Sequence, residues 1–283
     1  MPGNSGSSTR FLNKMNCNAP IEGIPLPSDA VTVWRNRATR YVVLLVALTS
    51  LVVVICGCQT PLATRILRAK VRHLTIPREQ LTNLDYLIQL PHGYDEETNR
   101  WWPLVFYLHG IGESGHDLTK VLRFGPPRLV AQGKDLPCIV VSPQLPPGYF
   151  GGRESNLALA ILDEVMRSNR VDQTRVCVTG NSMGAFGAIL LAAREPERFA
   201  SLVPICGGVD YVDSLRLHDV PIWAFHGEQD PIIPVAESRR LVRLVNEIGG
   251  HARLTIYPDL GHNCWDRAYD DPALWDWILA QKK

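Results

Sequence analysis

The sequence predicts an α/β protein with a mainly parallel central sheet flanked by helices. Two observations carry this. Apolar runs of strand length, such as Leu104-Val105-Phe106-Tyr107-Leu108 and Val176-Cys177-Val178-Thr179, are continuous rather than alternating, which implies burial on both faces. Between such runs lie stretches with helical spacing, so strands and helices alternate along the chain.

The first strand of the folded part is expected at Leu84 to Leu90, closed by Pro91-His92-Gly93-Tyr94. Trp101-Trp102-Pro103 leads into the Leu104–Leu108 strand, which empties into the glycine-rich turn His109-Gly110-Ile111-Gly112-Glu113-Ser114-Gly115. Cys138 to Val141 is the next strand, and Pro143 to Gly152 forms a loop whose Tyr149 and Phe150 could line a cleft. Leu157, Ile161, Leu162 and Val165 share one helical face. Beyond the Val176 strand, Ser201–Ile205, Pro221–His226 and Ala252–Tyr257 supply further strands. Leu241, Leu244, Val245 and Ile248 mark a helix stopped by Gly249-Gly250. Asp271-Pro272 starts a terminal helix with Leu274, Trp277 and Ile278 facing inward.

The organising stretch is Gly180-Asn181-Ser182-Met183-Gly184, a G-x-S-x-G placed between a buried strand and an Ala/Leu/Ile-rich helix. So tight a turn needs glycine on both sides of the serine and presents Ser182 at the C-terminal edge of the sheet. The first helical turn aims its free N–H groups the same way, where a developing oxyanion could sit. A serine hydroxyl needs a base, and the base an orienting carboxylate. Asp230 follows the strand that ends in His226, His262 follows the Ala252–Tyr257 strand, and both fall on the edge that carries Ser182. Asp210 and Glu228 are the rival acids. Asp210 lies a strand too early and Glu228 too close to the strand end. His109 and His226, each followed by glycine, read as structural.

The remaining sequence limits the alternatives. Of 283 residues, 46% are hydrophobic and the net charge is +1, which gives no electrostatic case for nucleic acid. The seven cysteines contain no C-x-x-C pair, so no zinc or thioredoxin-type site is indicated. Cys206 and Cys264 fall near the same loops as the triad, and a disulfide between them stays open. No metal or organic cofactor is expected.

Residues 1–40 are rich in Gly, Ser, Asn and Pro and are expected to be a disordered extension. Residues 41–58 form an apolar run after Arg35, Arg37 and Arg40, suited to a lipoprotein-type signal or an uncleaved membrane anchor. The run ends in Ile55-Cys56-Gly57-Cys58, which resembles a bacterial lipoprotein box with Cys58 as the lipidated residue. Residues 59–78 read as a basic tether and residues 79–283 as the catalytic domain. The chain is thus expected in the cell envelope, exported or held at a membrane.

Gly180 to Gly184, the His109-Gly110 turn, the segment FHGEQDPIIP and the segment GHNCWDRAYDDPALWDWIL together resemble the α/β-hydrolase superfamily, near the phospholipase/carboxylesterases, polyhydroxybutyrate depolymerases and feruloyl esterases, and the predicted-peptidase group. The resemblance spans about Leu84 to Leu279 and shares the chain order Ser, Asp, His. It implies Ser182 as nucleophile, Asp230 as acid and His262 as base. The N–H groups of Met183 and Ile111 are then the oxyanion donors, with Gly112 also available for the second. No insertion for a separate cap domain is evident. The implied activity is hydrolysis of small carboxylic esters through an acyl-enzyme. A peptidase acting on short peptides, and a non-catalytic surface-anchored binding domain, are the alternatives.

Overall fold

The computed structural model describes residues 69–74, 84–148 and 150–283. By contact density the chain divides after Gln59, and all the described residues belong to the second unit, Thr60–Lys283. The expected extension, the apolar run with Cys58, and Tyr149 lie outside the described residues.

Eight strands form one sheet: β1 (Ala69–Leu74), β2 (Leu84–Gln89), β3 (Trp102–Leu108), β4 (Ile139–Pro143), β5 (Val171–Asn181), β6 (Ser201–Ile205), β7 (Ile222–Gly227) and β8 (Ala252–Tyr257). Their order is β1-β2-β4-β3-β5-β6-β7-β8. β2 pairs antiparallel with β1 and β4, and every pairing from β4 through β8 is parallel. The six mutually parallel strands, β3 to β8, therefore deliver their C-terminal ends to one edge.

The helices are α1 (Gly125–Ala131), α2 (Gly152–Ser168), α3 (Met183–Arg194), α4 (Tyr211–Ser214), α5 (Ala236–Glu247), α6 (Trp265–Asp270) and α7 (Pro272–Ala280). The strand alternation shows why they lie on both faces. Leu104, Phe106 and Leu108 of β3 join one apolar cluster with Leu157 and Ile161 of α2, Ile189 of α3 and Leu241 of α5. Val105 and Tyr107, pointing the other way, join a second with Leu129 of α1, Tyr269 of α6 and Leu274 of α7. Every residue of β3 is buried, as a strand covered on both sides requires. Of the expected inward residues of α7, Leu274 and Ile278 are buried while Trp277 is only partly so; Trp275 takes the interior place.

One boundary is corrected. Within the expected tether 59–78, residues 69–74 pair residue for residue with β2, from Ala69 opposite Gln89 to Leu74 opposite Leu84. The sheet therefore begins before residue 79. Lys70 and Arg72 made the segment read as a linker, yet charged residues are what an exposed edge strand carries to discourage further pairing.

Candidate active site

Ser182 sits between the last residue of β5 and the first of α3, with φ 54 and ψ −121. This is a left-sided conformation unusual for serine, of the kind that persists only where the surroundings impose it. They do so sterically. A Cβ on Gly180 would lie 2.3 Å from the Gly184 carbonyl oxygen, and one on Gly184 would lie 2.0 Å from the Leu108 and 2.6 Å from the His109 carbonyl oxygens. The two glycines thus let the end of β3 rest directly on the first turn of α3. The Ser182 N–H donates to the Ile205 carbonyl at the end of β6 (2.9 Å), fixing the turn from its other side.

The loops after β7 and β8 bring up the two expected partners. His262 Nε2 is 2.9 Å from Ser182 Oγ, and His262 Nδ1 is 2.7 Å from Asp230 Oδ2. The other carboxylate oxygen of Asp230 accepts the N–H groups of Ile232 (2.8 Å) and Ile233 (2.9 Å), so the loop itself orients it. Trp265 stands edge-on to the His262 ring at 5.3 Å and is buried, which makes it a wall of the base. The rival acids are elsewhere engaged: Asp210 caps α4 through the Asp213 N–H, and Glu228 pairs with Arg239 at the surface.

The charges follow from these contacts. Burial would raise the Asp230 carboxyl, but the hydrogen bond from His262 and the two backbone N–H groups hold it below the usual carboxylate value. The hydrogen-bonding contact with Cys206 and then the Asp230 carboxylate raise His262 above the usual imidazole value, against its burial. Contact with Cys264 and burial push the Cys206 thiol far up, so it stays neutral. The lasting electrostatic support of His262 is therefore Asp230.

Met183 opens α3 and Ile111 opens the 3₁₀ turn Ile111–Glu113, so the N–H of each belongs to a first turn and has no intrahelical acceptor. The Ile111 turn is held by the start of the Pro143–Gly152 loop, which the sequence offered only as a cleft lining through Tyr149 and Phe150. Gln144 Nε2 donates to the Glu113 and Asp117 carbonyls (2.7 and 2.8 Å), and the Leu145 N–H donates to His109 Nε2 (2.9 Å). His109 is thus structural, as read from sequence. Phe150 packs over Gly187 of α3 rather than standing free, since a Cβ there would meet its ring at 2.8 Å.

Cys206 and Cys264 are free thiols with their sulfurs 3.0 Å apart, and Cys206 also donates to the His262 carbonyl at 3.2 Å. Cys206, His226 and Asp230 converge among the described residues, with side-chain donor atoms within 4.8 Å of one another. Each is committed to hydrogen bonds inside the protein, so they form a hydrogen-bonded cluster rather than a metal cage.

Sheet order, the serine turn and the positions of Asp230 and His262 are those of the α/β-hydrolase fold. Within it, residues 154–271 match the phospholipase/carboxylesterase family. A probable feruloyl esterase C from Aspergillus terreus is 26% identical over 57% of this chain and 60% of its own length. A thermostable esterase of known structure superposes with TM-score 0.66 at 29% identity, covering 78% of this chain and 64% of that one. A probable chloroplastic glutamyl endopeptidase from Arabidopsis thaliana is 23% identical over 70% of this chain, but over only 25% of its own length. The chain thus spans about three fifths of the length of the two esterases it resembles.

Proposed function

We propose that this protein is a serine esterase that cleaves small carboxylic esters. The observation that supports it most is the unbroken relay Ser182–His262–Asp230, on three strand ends, with the serine held at a positive φ. In this reading His262 Nε2 takes the Ser182 proton as Oγ attacks the ester carbonyl, and the oxyanion meets the N–H groups of Met183 and Ile111. His262 then returns the proton to the leaving alcohol. Water, activated by the same base, hydrolyses the seryl ester. Asp230 keeps the Nδ1–H tautomer and stabilises the imidazolium. The chemistry calls on no cofactor or metal.

Exposed Ile111, Phe186 and Ile232 belong to the oxyanion turn, the first turns of α3 and the Asp230 loop. Exposed apolar side chains on the three elements that carry the nucleophile, the proposed oxyanion turn and the acid favour an acyl or aryl group over a charged substrate. The test is hydrolysis of p-nitrophenyl esters and amino-acyl p-nitroanilides by the full chain beside Ser182→Ala. Serine-dependent ester turnover with silent anilides supports the esterase. The reverse pattern gives the peptidase reading, which the endopeptidase match favours, and silence on both favours a binding domain.

The raised imidazole sets the pH dependence. The base must be neutral to act, so activity falls as pH drops through the pKa of His262, which lies above the ordinary ~6.5. The acid limb of kcat/KM is expected to have its midpoint above that value; a midpoint at or below ~6 contradicts the Asp230–His262 pairing.

We also propose, from sequence, that Cys58 is lipidated and the enzyme is exported to the cell envelope. Cys58→Ala is then expected to abolish detergent-phase partitioning without loss of export, and unchanged partitioning indicates an uncleaved anchor.

A further inference from the structure

The loop that carries Asp230 holds a second histidine against the same carboxylate. His226, near the end of β7, is fully buried, and its Nε2 lies 3.2 Å from Asp230 Oδ2, the oxygen that also faces His262 Nδ1. Among the described residues, the hydrogen-bond partner of Nε2 is the Ile233 carbonyl at 2.9 Å. Carbonyl and carboxylate are both acceptors, so Nε2 carries a proton and donates it. On the opposite side of the ring, Ser238 Oγ of α5 sits 2.7 Å from Nδ1 and 2.9 Å from the Gly207 carbonyl, which stops the ring from turning away.

We propose that His226 is a positioning residue of the hydrolytic site: its Nε2–H, hydrogen-bonded to the Ile233 carbonyl, stands 3.2 Å from the Asp230 Oδ2 that faces His262 and, by its positive end, limits how strongly that carboxylate raises the basicity of the catalytic histidine. The inference rests on the triad reading above. A carboxylate oxygen with the positive end of a second N–H dipole 3.2 Å away gives less of its charge to the imidazole it is bonded to. Ile232 and Ile233 hold Oδ1 independently. Removing the His226 donor therefore leaves Asp230 in place and lets it act on His262 alone. The other titratable groups against this pair are the Cys206 and Cys264 thiols. Cys206 stays neutral.

Two isosteric variants separate this role from simple core filling. In His226→Gln the amide nitrogen falls near the Nε2 position and keeps an N–H donor beside Asp230. In His226→Asn it falls near the Nδ1 position, keeps the Ser238 contact and loses that donor. The expected result is an acid limb of kcat/KM shifted upward by about one pH unit in His226→Asn, with a lowered kcat. The glutamine variant returns the limb toward wild type at a similar unfolding midpoint. No shift, a downward shift, or identical behaviour of the two variants overturns the proposal.

A measurement that needs neither folding of the variants nor turnover is ¹⁵N NMR of the histidine-labelled full-length protein. The His226 Nε2 signal, assigned by through-bond correlation, is expected in the protonated range at pH 7; an unprotonated Nε2 overturns the proposal. Activity that survives Ser182→Ala would instead overturn the triad itself, so the two failures are distinct.

Discussion

Replacing Ser182 by alanine is expected to lower kcat/KM for ester hydrolysis by ~10⁴-fold or more, with the fold intact. The magnitude follows from the relay. Ser182 Oγ is the atom aligned with His262 Nε2, and without it His262 and Asp230 have nothing to activate except water. Some rate over solution survives, because the Met183 and Ile111 amides and the apolar surround are untouched. Ser182→Gly makes the same case more sharply. The φ of 54 penalises alanine as it does serine, but not glycine. The glycine variant is therefore expected to be as inactive as the alanine variant and more stable than it, by about 1 kcal/mol or more. kcat/KM together with urea midpoints of the three proteins checks this. An alanine variant within tenfold of wild type would remove Ser182 as nucleophile.

Much of this arrangement was legible in the chain because burial on two faces writes a strong signal. β6 was bounded to the residue by its wholly buried apolar run, β8 equally so although none of its residues is fully buried, and the meeting of Ser182, His262 and Asp230 followed from which strand ends carried the last two. What was hidden depends on tertiary context. β1 looked like a tether because only pairing with β2 distinguishes a charged edge strand from a linker. α1 was unread because Pro126 and Pro127 look like breakers, although in a first turn proline costs nothing. α6 follows too closely on the His262 loop for its six residues to show a period. The relation of His226 to Asp230 was beyond reach for a further reason. Three residues separate them across the end of β7 and the turn that follows, where spacing fixes no direction, and the Ile232 and Ile233 amides turn the chain back onto the Asp230 carboxylate.

Gly184→Ala is expected to be the most damaging single-methyl change in the site. The added Cβ would stand 2.0 Å from the Leu108 carbonyl oxygen, 2.5 Å from its carbon and 2.6 Å from the His109 oxygen. All three are backbone atoms of β3 and the turn behind it, so no side chain can swing away to make room. Either the first turn of α3 lifts off the sheet or the His109-Gly110 turn retreats. The first displaces Ser182 and the Met183 amide, and the second displaces Ile111, so each route damages the proposed oxyanion pair as well as stability. A loss of about 4 kcal/mol or more is expected, with ester turnover reduced beyond what the unfolded fraction explains. Gly112→Ala is the matched control. It lies in the same glycine-rich turn, yet a Cβ there meets nothing within 4 Å, so its stability should stay within about 0.5 kcal/mol of wild type. Urea unfolding of the two variants checks the contrast. Equal midpoints would mean that β3 and α3 are not in the close contact that sets Ser182 beside the Ile111 turn.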